Sequence, residues 1–385
     1  MTSGGRMMGG SDDAMAARWF QLGCFSPINR LHSSNSGFTS KEPWRYSRDA
    51  RATMEAHLRL RHRLVPYLYT WARRSAGEGI APVRPVYHDH PRELAAYEHR
   101  GSFCFGDLLV VPFTSPLDVA TGLGRELTWL PDGVWYDLPT GRRYEATTGG
   151  RGRMLSLSRP LDRIGVLARA GSVIPLAGNL TEAAGDNPRE LEIVVVPGGS
   201  GSFTLEEDDG SAQPGQDQIA RTHMALTWPE AEEEDGADVV LRIRLEGAAE
   251  VVPTSRLVTV RLLAGQVAGA WLGVGERARR LATEEVSGDG FTLGAGTLVH
   301  LEELSRQELI DGVQLVLRGT KHSPADWRDE VHAILDAARV EYMAKDLAWD
   351  AVQRGLSGTA LLGELEALGL PETLRAAVAE VLPHS

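Results

Sequence analysis

Ala17-Arg-Trp-Phe-Gln-Leu-Gly-Cys-Phe-Ser-Pro-Ile-Asn-Arg-Leu-His32 is the stretch on which the reading of this chain turns. Its first half continues a helical pattern that starts at Asp12 and runs to Leu22. Its second half, from Cys24 to His32, is a short apolar segment that reads as a strand leading into a polar loop. Downstream, Asp49–Ala72 places Met54, Leu58, Leu60, Leu64, Leu68 and Trp71 at mostly three- and four-residue spacings, which predicts a second helical stretch. Pro66 lies inside it and should kink or end a helix there, because its ring removes a backbone donor and clashes with the preceding turn.

Beyond residue 80 the pattern changes. From 81 to 178, strand-like runs such as Asp107-Leu-Leu-Val-Val-Pro112, Arg125-Glu-Leu-Thr-Trp-Leu130 and Arg163-Ile-Gly-Val-Leu-Ala168 alternate with Gly, Pro and Asp turns. Pro131-Asp-Gly-Val134, between two aromatic-rich runs, predicts a hairpin. A second β-rich region covers 188–320, where Leu241, Ile243 and Leu245 alternate with Arg242 and Arg244 as in a half-exposed strand. The acidic run Glu230–Asp235 reads as a solvated loop. From 323 to 385 the pattern is helical: a start at Ser323-Pro324, a second helix through Leu361, Leu365 and Leu368 ending at Gly369, and a third near Pro371.

Composition narrows the function classes. The 385 residues carry a net charge of -12, which argues against nucleic acid and against an anionic membrane surface as partners, and leaves neutral ligands such as sugars open. No apolar run approaches the ~20 residues of a membrane span. The first ten residues lack the apolar core of a secretory signal. Cys24 and Cys104 have neither disulfide-framework nor zinc spacing, so a reducing, cytoplasmic setting is expected, with no metal and no cofactor. No phosphate loop, dinucleotide fingerprint, Gly-x-Ser-x-Gly elbow or His-Glu-x-x-His pair occurs.

Two clusters remain. Arg30, His32, Asn35, Glu42 and Trp44 gather in the polar loop after the expected strand. They include hydrogen-bonding groups suited to sugar hydroxyls and an aromatic surface suited to a sugar's C–H face; a plain loop histidine and a packed tryptophan are the alternative. Glu206-Glu-Asp-Asp-Gly210 offers oxygen donors on a tight turn, as calcium requires, but does not fit the twelve-residue calcium loop. A charged β-turn is the other reading.

The stretch quoted first resembles the closing part of the barrel in glycoside hydrolase family 31, where an Arg-Trp-x-Gln-x-Gly-x-Phe-x-Pro run is followed by Arg-x-His. The resemblance continues in Lys41-Glu-Pro-Trp44 and Leu60-Arg-His-Arg-Leu-Val-Pro-Tyr-Leu-Tyr69. It extends through Phe105-Gly-Asp-Leu-Leu-Val-Val-Pro112, Leu130-Pro-Asp-Gly-Val-Trp-Tyr-Asp137, Ala170-Gly-Ser-Val-Ile-Pro175 and Gly201-Ser-Phe-Thr-Leu-Glu-Glu-Asp-Asp-Gly210. It implies mixed α/β and all-β architecture: a C-terminal remnant of a (β/α)8 TIM barrel over 1–80, holding strands seven and eight, then antiparallel β-sandwiches over 81–178 and 188–320 and a helical extension over 323–385. It places Cys24–Leu31 on the eighth barrel strand and His32 at its mouth, a substrate-binding position, with Arg30 and Trp44 beside it.

The resemblance also implies a retaining α-glycosidase, whose two catalytic carboxyl groups stand ~5–5.5 Å apart. In the family both come from strands upstream of the matched segment, and where the family has Asp-Ile-Gly-Gly this chain has Thr2-Ser3-Gly4-Gly5. No catalytic residue is therefore assigned. Three readings follow: a truncated α-glycosidase inactive alone; one half of a split enzyme acting on an α-linked oligosaccharide or α-glucoside once a partner chain completes the barrel; or a non-catalytic carbohydrate-binding or structural β-protein. Open strand edges in a barrel remnant predict that residues 81–320 resist protease and residues 1–80 are cut first.

Overall fold

A computed structural model describes residues 12–383 apart from 33–36, 212–213, 230–237, 274, 276–277 and 324. Thr2–Gly5, Asn35 and Glu230–Asp235 lie outside the described residues.

The chain begins with three helices, α1 (Asp13–Cys24), α2 (Arg48–Arg63) and α3 (Val65–Glu78). Asp12 caps α1 by accepting a hydrogen bond from the Met15 amide. Leu64 separates α2 from α3 and Pro66 sits in the first turn of α3, where a missing N–H costs nothing, so the expected break is found. Gly79, at φ +75°, ends α3.

The strand expected at Cys24–Leu31 is not formed. After α1 the backbone turns, with the Phe25 and Ser26 amides bonded to the Leu22 and Gly23 carbonyls. A strand needs a neighbour for its carbonyls, and here a side chain takes that place: the Arg61 guanidinium donates to the carbonyls of Cys24 (3.1 Å), Ser26 (2.7 Å) and Pro27 (2.9 Å). Among the described residues, no strand precedes Val83.

Then come β1 (Val83–Pro85), two short helices α4 (Val86–Asp89) and α5 (Leu94–Glu98), and seven strands: β2 (Phe103–Phe105), β3 (Leu108–Val111), β4 (Gly124–Leu130), β5 (Val134–Asp137), β6 (Arg143–Glu145), β7 (Arg153–Arg159) and β8 (Gly165–Arg169). They form an antiparallel sheet ordered β1-β2-β3-β8-β5-β6 and a separate ribbon β4-β7. The Pro131–Val134 turn does not make the expected hairpin, because β5 has both edges filled, by β6 and β8, and β4 pairs with β7 instead.

The next region holds β9 (Val173–Ala177), β10 (Glu190–Val195), β11 (Gly201–Glu207), β12 (Ala220–Thr227), β13 (Val239–Gly247), β14 (Ser255–Leu263), β15 (Gly265–Gln266), β16 (Gly269–Leu272), β17 (Arg279–Arg280), β18 (Ala282–Val286) and β19 (Gly296–Ser305). Helix α6 (Arg306–Asp311), β20 (Val313–Arg318) and β21 (Lys321–His322) complete it. One sheet runs β18-β19-β14-β10-β9 and another β11-β12-β13-β20-β16-β17. Pairing is antiparallel throughout the described strands except between β10 and β14. β9 precedes residue 178 yet bonds to β10, so the chain enters the second β-region through that strand. On β13, Leu241, Ile243 and Leu245 are buried while Arg242 and Arg244 are exposed, as the alternation predicts.

The first three helices are not left hanging. Phe25, Leu60, Leu64, Tyr67 and Trp71 belong to the same buried cluster as Ile174, Val194 and Phe203 of the β-region. Tyr67 stacks on Phe203 at 5.2 Å, and Arg63 pairs with Glu192 at 2.8 Å. The Arg18 guanidinium donates to the carbonyls of Arg159 and Pro160 at 3.0 and 2.9 Å. This packing runs against the expectation that residues 1–80 are cut first: one face of the helices shares a core with the strands. The other face is open, with Met15, Trp19, Ile28, Phe38 and Trp44 all more than half exposed.

At the C-terminus, α7 (Trp327–Ala337), α8 (Tyr342–Gln353), α9 (Gly358–Ala367) and α10 (Glu372–Val381) enclose a core of their own around Val331, Leu335, Leu361, Leu365 and Val378. The first of them starts later than Ser323-Pro324: Asp326 supplies the cap, accepting from the Arg328 amide at 2.9 Å.

Candidate functional site

His32 lies in extended coil just beyond the Arg61-held turn and is exposed, as is Arg30. Trp44 sits in a single 3-10 turn, Pro43–Arg45, and is 65 % exposed. All three are carried by the loop joining α1 to α2, and none lines either of the two cavities found next to the β-structure. The smaller cavity is an apolar void of about 20 Å³ beneath Phe25, Leu60 and Leu64.

The Glu206–Gly210 carboxylates have other work. Glu207 forms a buried two-pronged pair with Arg256. Glu206 bridges Arg73 and Arg221 at 3.2 and 3.1 Å, and Asp208 accepts from Arg73 at 3.0 Å and from the Tyr69 hydroxyl. Asp209 bonds the Ser211 amide two residues on, at 3.0 Å. The run is a charged turn that fastens α3 to β11 and β14. Its oxygens are committed to arginines, the Tyr69 hydroxyl and the turn's own amides, as in a charged β-turn.

A second polar centre was not legible from spacing. Glu380 of α10 is buried against the first β-region. One of its oxygens accepts from Arg159 (2.5 Å), Tyr144 (2.7 Å) and Arg142 (3.0 Å), and the other from the Ser158 amide (2.6 Å). Arg159 also reaches Asp137 at 2.9 Å, and Arg142 reaches Glu330 of α7. Burial alone would raise the Glu380 pKa, yet the two guanidinium groups hold it below the usual carboxylate range. Burial would likewise lower Arg159, but Asp137 and Glu380 push it well above its ordinary value. Every charge in the centre is matched by another, so it holds structure and has no group free to act on a ligand.

The larger cavity, about 320 Å³, opens where the first sheet meets the second β-region. Its walls come from α3, the β2–β3 turn, the β4–β5 turn and the β8–β9 turn. Gly106 and Asp107 make the β2–β3 turn. At φ +58°, a Cβ on Gly106 would lie 2.3 Å from both the Tyr67 hydroxyl and the Trp71 indole nitrogen, so the turn depends on glycine. The Tyr67 hydroxyl accepts from the Asp107 amide at 2.7 Å. Arg84 and Asp89 form a two-pronged pair, with Nη2 to Oδ2 at 2.8 Å. The Cys104 thiol bonds to Asp89 and is pushed up to about 12 by burial, so it is no nucleophile at neutral pH. Burial lowers the His90 pKa, and its ring meets Trp129 edge-on at 5.4 Å.

Comparison with known proteins fits this architecture. The model of the family 31 glycosyl hydrolase TIM-barrel domain matches residues 4–71, and that of the family's C-terminal domain matches residues 79–174. An α-xylosidase of Saccharolobus solfataricus is 30 % identical over 220 residues, covering 56 % of this chain and 28 % of the relative. The lysosomal α-glucosidase of Mus musculus is 26 % identical over 258 residues, 63 % of this chain and 26 % of the relative. A solved family 31 dextranase of Flavobacterium johnsoniae superimposes with a TM-score of 0.61 at 20 % identity, covering 80 % of this chain and 37 % of that one, and shares the fold. The two matching models are successive modules of one family and occur in order. The matches over residues 4–174 support a glycoside hydrolase family 31 fragment there. Its curated relatives are α-glycosidases, and it spans between a quarter and a third of the length of the two named here.

Proposed function

We propose that these residues form the C-terminal portion of a retaining α-glycosidase that acts on α-linked glucose or xylose. Its catalytic carboxylates would lie upstream, on barrel strands outside these 385 residues, and the 385 residues alone would not turn over substrate. The observation that carries the reading is the open apolar face of α1 and the loop after it. These residues match a barrel domain, one side of them is sealed against the β-region, and Met15, Trp19, Ile28 and Trp44 stand more than half exposed on the rest. Such a patch marks a surface made to be covered, and the remaining barrel is what would cover it. Strands supplied there would also give Cys24–Pro27 the neighbour whose place Arg61 now takes.

On this reading the chain divides into barrel-derived helices over 1–80, β-sandwiches over 81–178 and 188–320, and a helical module over 323–385, with β9 serving as the crossover. His32, with Arg30 and Trp44 beside it, would meet the sugar in the completed barrel. The free state of Cys24 and Cys104 supports a reducing, cytoplasmic setting.

The test is complementation. The upstream barrel segment of a homologous α-xylosidase or α-glucosidase is produced separately, mixed with this chain, and assayed on aryl α-xylosides and α-glucosides. Activity should appear only in the mixture. Loss of a hydrogen bond to a neutral hydroxyl costs about 0.5–1.5 kcal/mol, and more where the partner is left unpaired. In the active mixture, His32→Ala should therefore lower kcat/KM about tenfold and leave the thermal midpoint unchanged. Equal kcat/KM in both versions contradicts the role given to His32.

A further inference from the structure

The charge-matched centre around Glu380 is assembled from two units. Asp137, Arg142, Tyr144, Ser158 and Arg159 come from the first β-region, whereas Glu330 and Glu380 come from α7 and α10. The buried apolar cluster of α7–α10 shares no residue with the clusters under the strands. Other contacts between the two units are polar as well. The Arg339 amide donates to the Ala120 carbonyl at 2.5 Å and the Thr373 hydroxyl to Asp118 at 3.2 Å. The chain is fastened to the β-structure as far as Ser323, whose amide donates to the Ala264 carbonyl at 2.8 Å, and the first helix of the module starts just beyond, at the Asp326 cap. Units with separate cores and a polar interface move relative to each other by default.

Lifting the helices away removes both glutamates. Two guanidinium groups, Arg142 and Arg159, then face a single carboxylate, Asp137, in a site whose arginine side chains are only 14 % and 3 % exposed when it is closed. Such an excess of positive charge calls for an anion, and the grip on Glu380 shows which kind. One carboxylate oxygen takes three donors and the other takes the Ser158 amide, so both oxygens of a planar anion are held. Chloride has no second atom for the amide. A dianion such as sulfate would meet Asp137, which Arg159 holds at 2.9 Å through its other terminal nitrogen. We propose that the first β-region carries a carboxylate-binding site formed by Arg142, Tyr144, Arg159 and the Ser158 amide, and that Glu380 is its tethered occupant, brought in and taken away with α7–α10. The site shares no residue with the loop that carries His32 and rests on no part of the α-glycosidase reading.

Two measurements on the full chain test it. In native-state hydrogen exchange at low urea, the Ser158 amide and the amides of α10 should become exchangeable together, before the strands do. Exchange of Ser158 only through global unfolding would overturn the proposal, because the helices would then never leave the site. In Glu380→Ala, the vacated site should take free acetate. The thermal midpoint should rise saturably, by about 2–4 °C, with sodium acetate but not with sodium chloride at the same ionic strength. Adding Tyr144→Phe removes a hydrogen bond to a charged group and should weaken acetate binding about tenfold. The unaltered chain, its site filled by Glu380, should show no such rise. An equal rise with chloride, a rise in the unaltered chain, or no response to acetate in a folded Glu380→Ala chain would each overturn the assignment.

Discussion

Two sets of helices flank the β-structure and join it in opposite ways. Helices α1–α3 have little core of their own: their buried side chains, from Phe25 to Trp71, are part of the core under the sheets, and their far side is bare. Helices α7–α10 close a core among themselves and meet the first β-region through a narrow polar contact centred on Glu380. The first set buries one side against the strands and leaves the other to solvent. The second is what an independent small module looks like when it is fastened on. Helical content is similar, but the first set shares its core with the strands and the second has its own.

The comparison breaks most readily at Glu380. Removing one partner of a buried ion pair costs about 3–5 kcal/mol, since the charges left behind are neither solvated nor matched. Glu380→Ala should therefore lower the unfolding free energy by about that amount in urea melts, with the helical module released first. If α7–α10 stayed protected from hydrogen exchange and docked in that variant, apolar contact rather than the charge network would be holding them.

The next effect reads the first set of helices through pH. His57 of α2 is fully buried, its Nδ1 lies 2.8 Å from the Thr53 carbonyl, and burial lowers its pKa to about 4. The unfolded chain takes up that proton near the ordinary histidine value of about 6.5. Below that pH the unfolded state binds more protons, so stability is complete above about pH 6.5 and is lost as pH falls towards 4, by about 3 kcal/mol. His57→Leu should flatten that slope in denaturation measured from pH 7 to 4. An unchanged slope would mean that α2 opens to water at little cost. Glu380, with its lowered pKa, works in the same direction at lower pH: its contribution is present above the normal carboxylate range and lost as pH falls through the depressed value.

The smallest effect on stability falls on the bare face. Trp19→Ser and Ile28→Ser should each move the unfolding free energy by no more than about 0.5 kcal/mol, because both side chains already face water. Each should reduce self-association in sedimentation measurements on the isolated chain. A large stability loss would mean that these residues pack in solution and that the face is not open.

The parts of this architecture that were legible in sequence are those set by local chemistry. Pro66 marks the α2–α3 break because a proline ring excludes helix wherever it sits past the first turn, and the end at Gly369 suits a residue tolerant of positive φ. The strand expected at Cys24–Leu31 and the hairpin expected at Pro131–Val134 went wrong where a distant segment decides. Arg61 claims the carbonyls of the first, and β8 and β6 occupy both edges of β5. The candidate sites divide the same way. His32, Arg30 and Trp44 are neighbours in sequence and were visible as one cluster. Asp107 and Arg169 are far apart in sequence and share a cavity only because the β2–β3 and β8–β9 turns meet. Even Glu207, read as part of a charged β-turn, finds its partner in Arg256 across the β-region.

The central claim is that these residues are the sealed-off end of an α-glycosidase whose chemistry lies in barrel strands carried elsewhere. The most direct measurement is the rate of aryl α-xyloside and α-glucoside hydrolysis by the purified 385-residue chain, alone and after addition of a homologous barrel segment. The account predicts background rates alone and turnover in the mixture. Turnover by the chain alone that disappears when one of its own Asp or Glu residues is replaced would contradict it.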